Sequence, residues 1–166
     1  MKEKFVPDNF IVPEKLETDR FCLRMLSVED VEKDYEAVMS SVEHLRSLSD
    51  PEDDNIWPEE SMTIDENYED LKRHQDEFLR REAFAYTVVT LDESMCLGCV
   101  YIYPSKTVEY DADVDLWTRQ SELENGLDEL LYQTVRDWLE VKWPFKSIAY
   151  PGREISWEVW REINPK

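Results

Sequence analysis

ADVDLWTRQSELENGLDELLYQTVRDWL, residues 112–139, is the stretch on which the fold turns. Its first part alternates Ala112, Val114, Leu116 and Thr118 with Asp113, Asp115, Trp117 and Arg119, the period-two pattern of a strand with one apolar and one polar face. Its last part places Leu127, Leu130, Leu131, Thr134, Val135 and Trp138 on one side of a helix that Gly126 opens and Pro144 ends. Where a strand passes through a turn into a helix, free backbone N–H groups and the positive end of the helix dipole gather at the turn. That is a ready site for an anion.

Outward from this segment the pattern continues in both directions. Downstream, Ser-Ile-Ala-Tyr at 147–150 is short and apolar enough for a strand. A last helix then uses Ile155, Val159 and Ile163 as its buried face and stops at Asn164-Pro165. Upstream, AFAYTVVTL (83–91) and MCLGCVYIY (95–103), separated by Asp92, Glu93 and Ser94, predict a β-hairpin. Before it, residues 64–82 read as a helix with Glu69–Arg73, Asp76–Arg80 and Glu77–Arg81 spaced as i,i+4 pairs. Residues 49–62 form an acidic loop interrupted by Pro51 and Pro58. A first helix over about 28–47 starts at a capping box of Ser27 and Asp30 and carries Val31, Tyr35, Val38, Val42 and Leu45. RFCLRML (20–26) is a half-buried strand, and residues 1–19, apolar but broken by prolines, form an arm or short edge strand against the body.

One domain spanning 1–166 is expected, with 1–19 as arm and 20–166 as core, because 166 residues suit a single hydrophobic core. Six Trp, eight Tyr and six Phe give enough apolar mass to fold without staples, and three cysteines suit reduced thiols in the cytoplasm. A net charge of −20 excludes nonspecific nucleic-acid binding and attraction to anionic membranes, both of which need clustered Lys and Arg. The same charge favours cationic substrates, and salt adaptation explains it equally well. Neither a signal peptide nor an apolar stretch long enough to span a membrane is present in the sequence.

The order strand, helix, helix, strand, strand, strand, helix, strand, helix resembles the GNAT superfamily of acetyl-CoA-dependent N-acetyltransferases over roughly residues 14–164. Gly126 falls on the central glycine of that family's Q/R-x-x-G-x-G/A turn, IAY at 148–150 on its fifth strand, and ISWEVWREIN at 155–164 on its closing segment. The resemblance implies an α+β fold, a mixed central sheet flanked by helices, here without the usual C-terminal strand pair. The sheet edge so exposed invites pairing with a second copy. It implies acetyl-CoA as co-substrate and a small-molecule or protein amine as acceptor. Backbone groups of Leu116, Trp117 and Thr118 would hold the pantetheine, and amides of Leu123, Glu124, Asn125, Gly126, Leu127 and Asp128 the pyrophosphate. Asp113 takes the place of the strand-four acidic residue as base, with Asp115 two residues on along the same face, and Tyr150 that of the acid. Two positions depart from the pattern: Leu123 stands where Gln or Arg is usual and Asp128 where Gly or Ala is. Glu122, Glu124, Asp128 and Glu129 surround a turn that would receive an anion. Hence the alternative: a GNAT-fold binding or interaction module that has lost acetyl-CoA.

Other chemistries find less support. Cys96-Leu97-Gly98-Cys99 is a lone CxxC within a strand, where i and i+3 point to opposite faces, and no second pair or nearby His completes a zinc set, so no metal is expected. His44 and His74 stand alone on helices. No nucleophile elbow, P-loop or dinucleotide fingerprint occurs. Trp57 and Trp117 are candidates to line an acceptor cleft, and the acidic loop at 49–62 to attract an amine.

Overall fold

The computed structural model describes residues 4–164. Six strands form one sheet in chain order: β1 (Lys15–Glu17), β2 (Cys22–Met25), β3 (Phe84–Val89), β4 (Cys96–Pro104), β5 (Ala112–Thr118) and β6 (Ile148–Ala149). Neighbours run antiparallel except β5 and β6, which are parallel. The helices are α1 (Val31–Met39), α2 (Val42–Ser47), α3 (Ile64–Leu79), α4 (Leu127–Lys142) and α5 (Trp157–Ile163). The α+β class and mixed sheet expected from the sequence are present, and β1 lies in the segment read as an arm. Pro165, read as the stop of the last helix, lies outside the described residues.

Strand alternation distributes the core over both faces of the sheet. Val100, Ile102, Ala112, Val114 and Leu116 pack against Leu127, Leu131, Val135 and Leu139 of α4. Cys99 and Trp117 point the other way, toward Ala37 and Val38 of α1 and Leu71 of α3. The arm is tied down by aromatic stacking of Phe5 on Phe84 and Phe145, and by the Tyr86 hydroxyl donating to the Pro13 carbonyl. Arg81, just past α3 and in the left-handed conformation, donates to the carbonyls of Pro7 and Phe10.

Three local expectations are corrected. The first helix is not continuous: a 3₁₀ turn at Val28–Asp30, capped by Ser27 and Asp30 as read, leads into α1, which breaks at Ser40–Ser41 before α2. Ser40 Oγ donates back to the Ala37 carbonyl and Ser41 Oγ accepts from the Gln120 N–H, local bonds with which serine competes against a helix. On α3 the charges pair as Asp70–Arg73 and Lys72–Asp76, while Arg80 turns to Glu82. On α5 the buried residue is Trp160, and Val159 is 45% exposed, because the larger indole takes the inward position beside Tyr110.

Candidate functional site: a splayed strand pair opening into an acidic cavity

β5 and β6 pair only at Ala112–Ile148 and Asp113–Ala149. Beyond that point β5 continues to Thr118 while the chain after β6 turns away through Pro151–Ile155, so the strands part and leave Leu116 facing the gap. Arg153 reaches into the gap. Its guanidinium donates to the Leu116 carbonyl (3.3 Å) and makes a two-pronged pair with Asp128 (2.9 and 3.0 Å).

The segment after β5 is held from below. Arg119, 7% exposed, grips Glu36 of α1 through both terminal nitrogens (2.9 and 2.8 Å) and the Cys96 carbonyl (3.1 Å). A 3₁₀ turn at Gln120–Glu122 follows, then tight turns in which Leu123, Asn125 and Gly126 donate their N–H groups to Gln120, Glu122 and Leu123. Gly126 has a φ of 76°, the left-handed region that glycine enters without strain, and this lets the chain swing directly into α4. No side chain caps α4. The N–H groups of Leu127, Asp128 and Glu129 therefore open the helix without intrahelical partners, as an anion requires. The Asp128 side chain lies half-buried beneath them, accepting from Thr118 Oγ1 (3.1 Å) and Arg153. Burial works against its charge, and the Arg153 guanidinium outweighs burial, so its pKa is lowered. The residue that departs from the family pattern is thus neutralised internally by a cation that periodicity does not reveal.

From the gap a cavity of about 820 Å³ extends between β4–β5 and the layer formed by α2, the 49–62 loop and α3. Trp57, Trp117 and Trp157 line it, and so do the carboxylates of Asp34, Glu59, Glu66, Glu69, Asp70, Asp115 and Asp128 against two arginines, Arg73 and Arg153. The Trp117 indole donates to the Tyr101 hydroxyl (3.0 Å). His74, also on the wall, is kept neutral: burial, with the Arg73 charge beside it, lowers its pKa to about 4.

Asp115 is the carboxylate best placed for proton chemistry. It is the one exposed residue of β5 and opens onto the cavity, whose walls stand close around it. That desolvation, together with the Asp113 charge, raises its pKa to about 6. Asp113 itself is 7% exposed, accepts from Ser105 Oγ (2.7 Å) and the Lys106 N–H (3.0 Å), and does not line the cavity. The Tyr150 hydroxyl is buried with no hydrogen-bond partner among the described residues; its ring packs edge-on against Tyr132 at 5.5 Å in the core beneath α4, and burial pushes its pKa up. The tyrosines on the cavity wall are Tyr101 and Tyr103. Of the residues named from the sequence, Leu116, Trp117 and Asp128 meet at the cavity, and Leu123, Glu124, Asn125 and Gly126 form the turn beside it. Arg153 was missed, and its only sequence signal is a lone cation shortly after the fifth strand.

No protein-family model matches the sequence, and no curated protein matches it. Solved structures do. A ribosomal-protein-S5-alanine acetyltransferase from Vibrio fischeri superposes with a TM-score of 0.58 at 15% identity over 75% of this chain and 66% of that one. RimL, a ribosomal L7/L12 alpha-N-protein acetyltransferase in complex with coenzyme A, gives 0.58 at 16% over 75% and 67%. The chain has the GNAT fold. The microcin C7 self-immunity acetyltransferase MccE, in complex with acetyl-CoA and AMP, gives 0.57 at 12% over 79% and 69%. The chain thus spans about two thirds of the length of these GNAT proteins. Among the described residues no helix is long and apolar enough to cross a membrane.

Proposed function

We propose that this chain transfers an acetyl group from acetyl-CoA to a primary amine that carries a further positive charge. The observation that carries the reading is the cavity in front of the splayed strands: seven carboxylates line it against two arginines, and both arginines are already paired, with Asp70 and with Asp128. A low-dielectric cleft of one sign concentrates ligands of the other.

The residues present fit the co-substrate. Unpartnered N–H groups at the start of α4 suit a pyrophosphate, and the edge of β5 beyond its pairing with β6, where Arg153 now bonds the Leu116 carbonyl and Asp128, suits the amides of a pantetheine once Arg153 gives way. When bound, acetyl-CoA supplies an acetyl thioester. The chain's own part is to hold the ammonium and to take its proton. Asp115, with a pKa of about 6, is ionised at neutral pH yet basic enough to accept a proton, directly or through one water. Asp113, behind it on the same strand face, keeps that pKa raised. The proton needed on the thiol side falls to a tyrosine, either Tyr150 as the resemblance implies or Tyr103 on the cavity wall.

The test is release of free thiol from acetyl-CoA across a panel of monoamines and diamines, with the acetylated product identified by mass. Diamines should turn over faster than monoamines of equal length. Asp115→Asn should lower kcat by ~10²-fold or more while coenzyme A binding is kept. Coenzyme A binding without turnover of any amine would instead make the chain a binding module.

A further inference from the structure

Behind the cavity wall two buried thiols meet the carboxylate of Asp34, which lines it. Simple alternation along β4 would separate Cys96 from Cys99, and this expectation is overturned by a β-bulge. Val88 of β3 opposes Gly98 and Val89 opposes Cys96, so Leu97 is the extra residue and the register shifts there. Gly98 permits the distortion, since a Cβ at this position would lie 2.1 Å from the Trp117 carbonyl oxygen. As a result Leu97 and Val100 join the core beneath α4, while Cys96 and Cys99 both face α1 and α3.

Asp34 of α1 descends onto the pair. Cys99 Sγ donates to its Oδ2 (3.3 Å) and Asn67 Nδ2 to its Oδ1 (2.9 Å). One ligand atom from each of Asp34, Cys96 and Cys99 lies within 4.8 Å of the others, and the three residues are 3%, 1% and 0% exposed. Among the described residues no cation pairs with Asp34. The charges that act on it are those of Asp30 and Asp70, also acidic. A buried carboxylate beside two thiols, in a negative field with no counter-charge, is an arrangement that a cation would complete.

We propose that Asp34, Cys96 and Cys99 bind a thiophilic divalent cation, zinc being the ion their chemistry suits. Zinc–sulfur and zinc–oxygen bonds of ~2.0–2.3 Å around a tetrahedral centre put ligand atoms ~3.3–3.8 Å apart, the range into which the Cys99–Asp34 contact falls. Binding releases the two thiol protons, so the site holds two thiolates and one carboxylate against the 2+ ion. Asp34 lines the cavity, which gives the ion its route and leaves a fourth position open to water from that side. The ion pins α1 to the bulge of β4. The site does not depend on the acetyl-transfer reading.

The test is titration of the reduced, chelator-treated chain with cobalt(II), followed by displacement with zinc(II). One equivalent should give thiolate-to-cobalt charge-transfer absorption and the visible bands of a tetrahedral ion, both bleached by zinc. Cys96→Ser and Cys99→Ser should each abolish the charge-transfer band or cut affinity at least a hundredfold, and Cys22→Ser should leave it intact. X-ray absorption at the zinc edge of the unsubstituted chain needs no variant and should report two sulfur neighbours. A first shell of oxygen and nitrogen only, absence of the cobalt bands, their survival in Cys99→Ser, or a Cys96–Cys99 disulfide that forms in place of metal binding would each overturn the proposal.

Discussion

Asp128→Asn is expected to weaken the fold and strengthen coenzyme A binding. In the parent chain Arg153 spends its two-pronged hydrogen bonding on Asp128, a first-turn residue of α4 whose carboxylate bonds to Arg153 and Thr118 and to none of the helix's opening N–H groups. The pair is only 21% and 28% exposed at the side chains, so solvent screens it incompletely. Neutralising Asp128 keeps the bond from Thr118 and one from Arg153 but loses the charge assistance, a cost of ~1–2 kcal/mol. For a chain of this size that is a fall in Tm of ~2–8 °C. Against this, a carboxylate ~4–6 Å from a bound phosphate repels it by ~1–3 kcal/mol, and its removal also frees Arg153 to meet the phosphate. Affinity should therefore rise by about tenfold or more. Trp57, Trp117 and Trp157 line the cavity, so quenching of intrinsic fluorescence reads the binding, and urea unfolding reads the stability. Arg153→Met is the complement: it strands the half-buried Asp128 carboxylate and should lose both stability and affinity. If Asp128→Asn binds coenzyme A no better than the parent, and Arg153→Met binds it no worse, the electrostatic reasoning fails.

Further outcomes follow from the same geometry. Because Asp115 must be ionised to act as a base and its pKa is raised to about 6, kcat/KM should fall as pH drops through 6, and Asp115→Asn should remove that limb along with the activity. Tyr103→Phe should depress kcat more than Tyr150→Phe, since of these two Tyr103 alone lines the cavity; the reverse order would return the acid to Tyr150. His74 has its folded pKa lowered to about 4 from an unfolded value of 6.5, so the unfolded chain takes up a proton first. Stability present above pH 6.5 is then lost as pH falls toward 4, by ~3 kcal/mol, and urea unfolding of His74→Gln across that range should show the slope flattened. Tyr86→Phe should cost ~1 kcal/mol in chemical unfolding by freeing the Pro13 carbonyl and loosening the arm.

What the sequence made legible was whatever repeats with a regular period. The alternation from Ala112 to Thr118 and the Ser27–Asp30 cap appear in the structure where they were read, and so do Leu127, Leu131, Val135 and Trp138 of the helical stripe, whereas Leu130 is exposed and Leu139 is buried in addition. The turn at Gly126 followed from the order of strand and helix along the chain. Features that break a period stayed hidden. The bulge at Leu97 moves one cysteine of a CxxC to the other's face, and no composition signal marks it beyond Gly98. The break at Ser40–Ser41 depends on Gln120, which is distant in sequence. Asp113 and Asp115 share a strand face and cannot be told apart by alternation; the connection after β4 buries the first behind Ser105 and leaves the second open to the cavity. Arg153 became visible only once the chain after β6 was seen to fold back over Leu116.

Calorimetric titration of the unsubstituted chain with coenzyme A at low and at moderate salt is the most direct measurement of whether the splayed strands and the α4 turn hold this co-substrate. Micromolar binding is expected, and it should tighten from low to moderate salt, because the net charge of −20 and the carboxylates around the turn repel an anion that the backbone amides hold, and salt screens that repulsion. Absence of binding heat at both salt concentrations would contradict the acetyl-transfer reading.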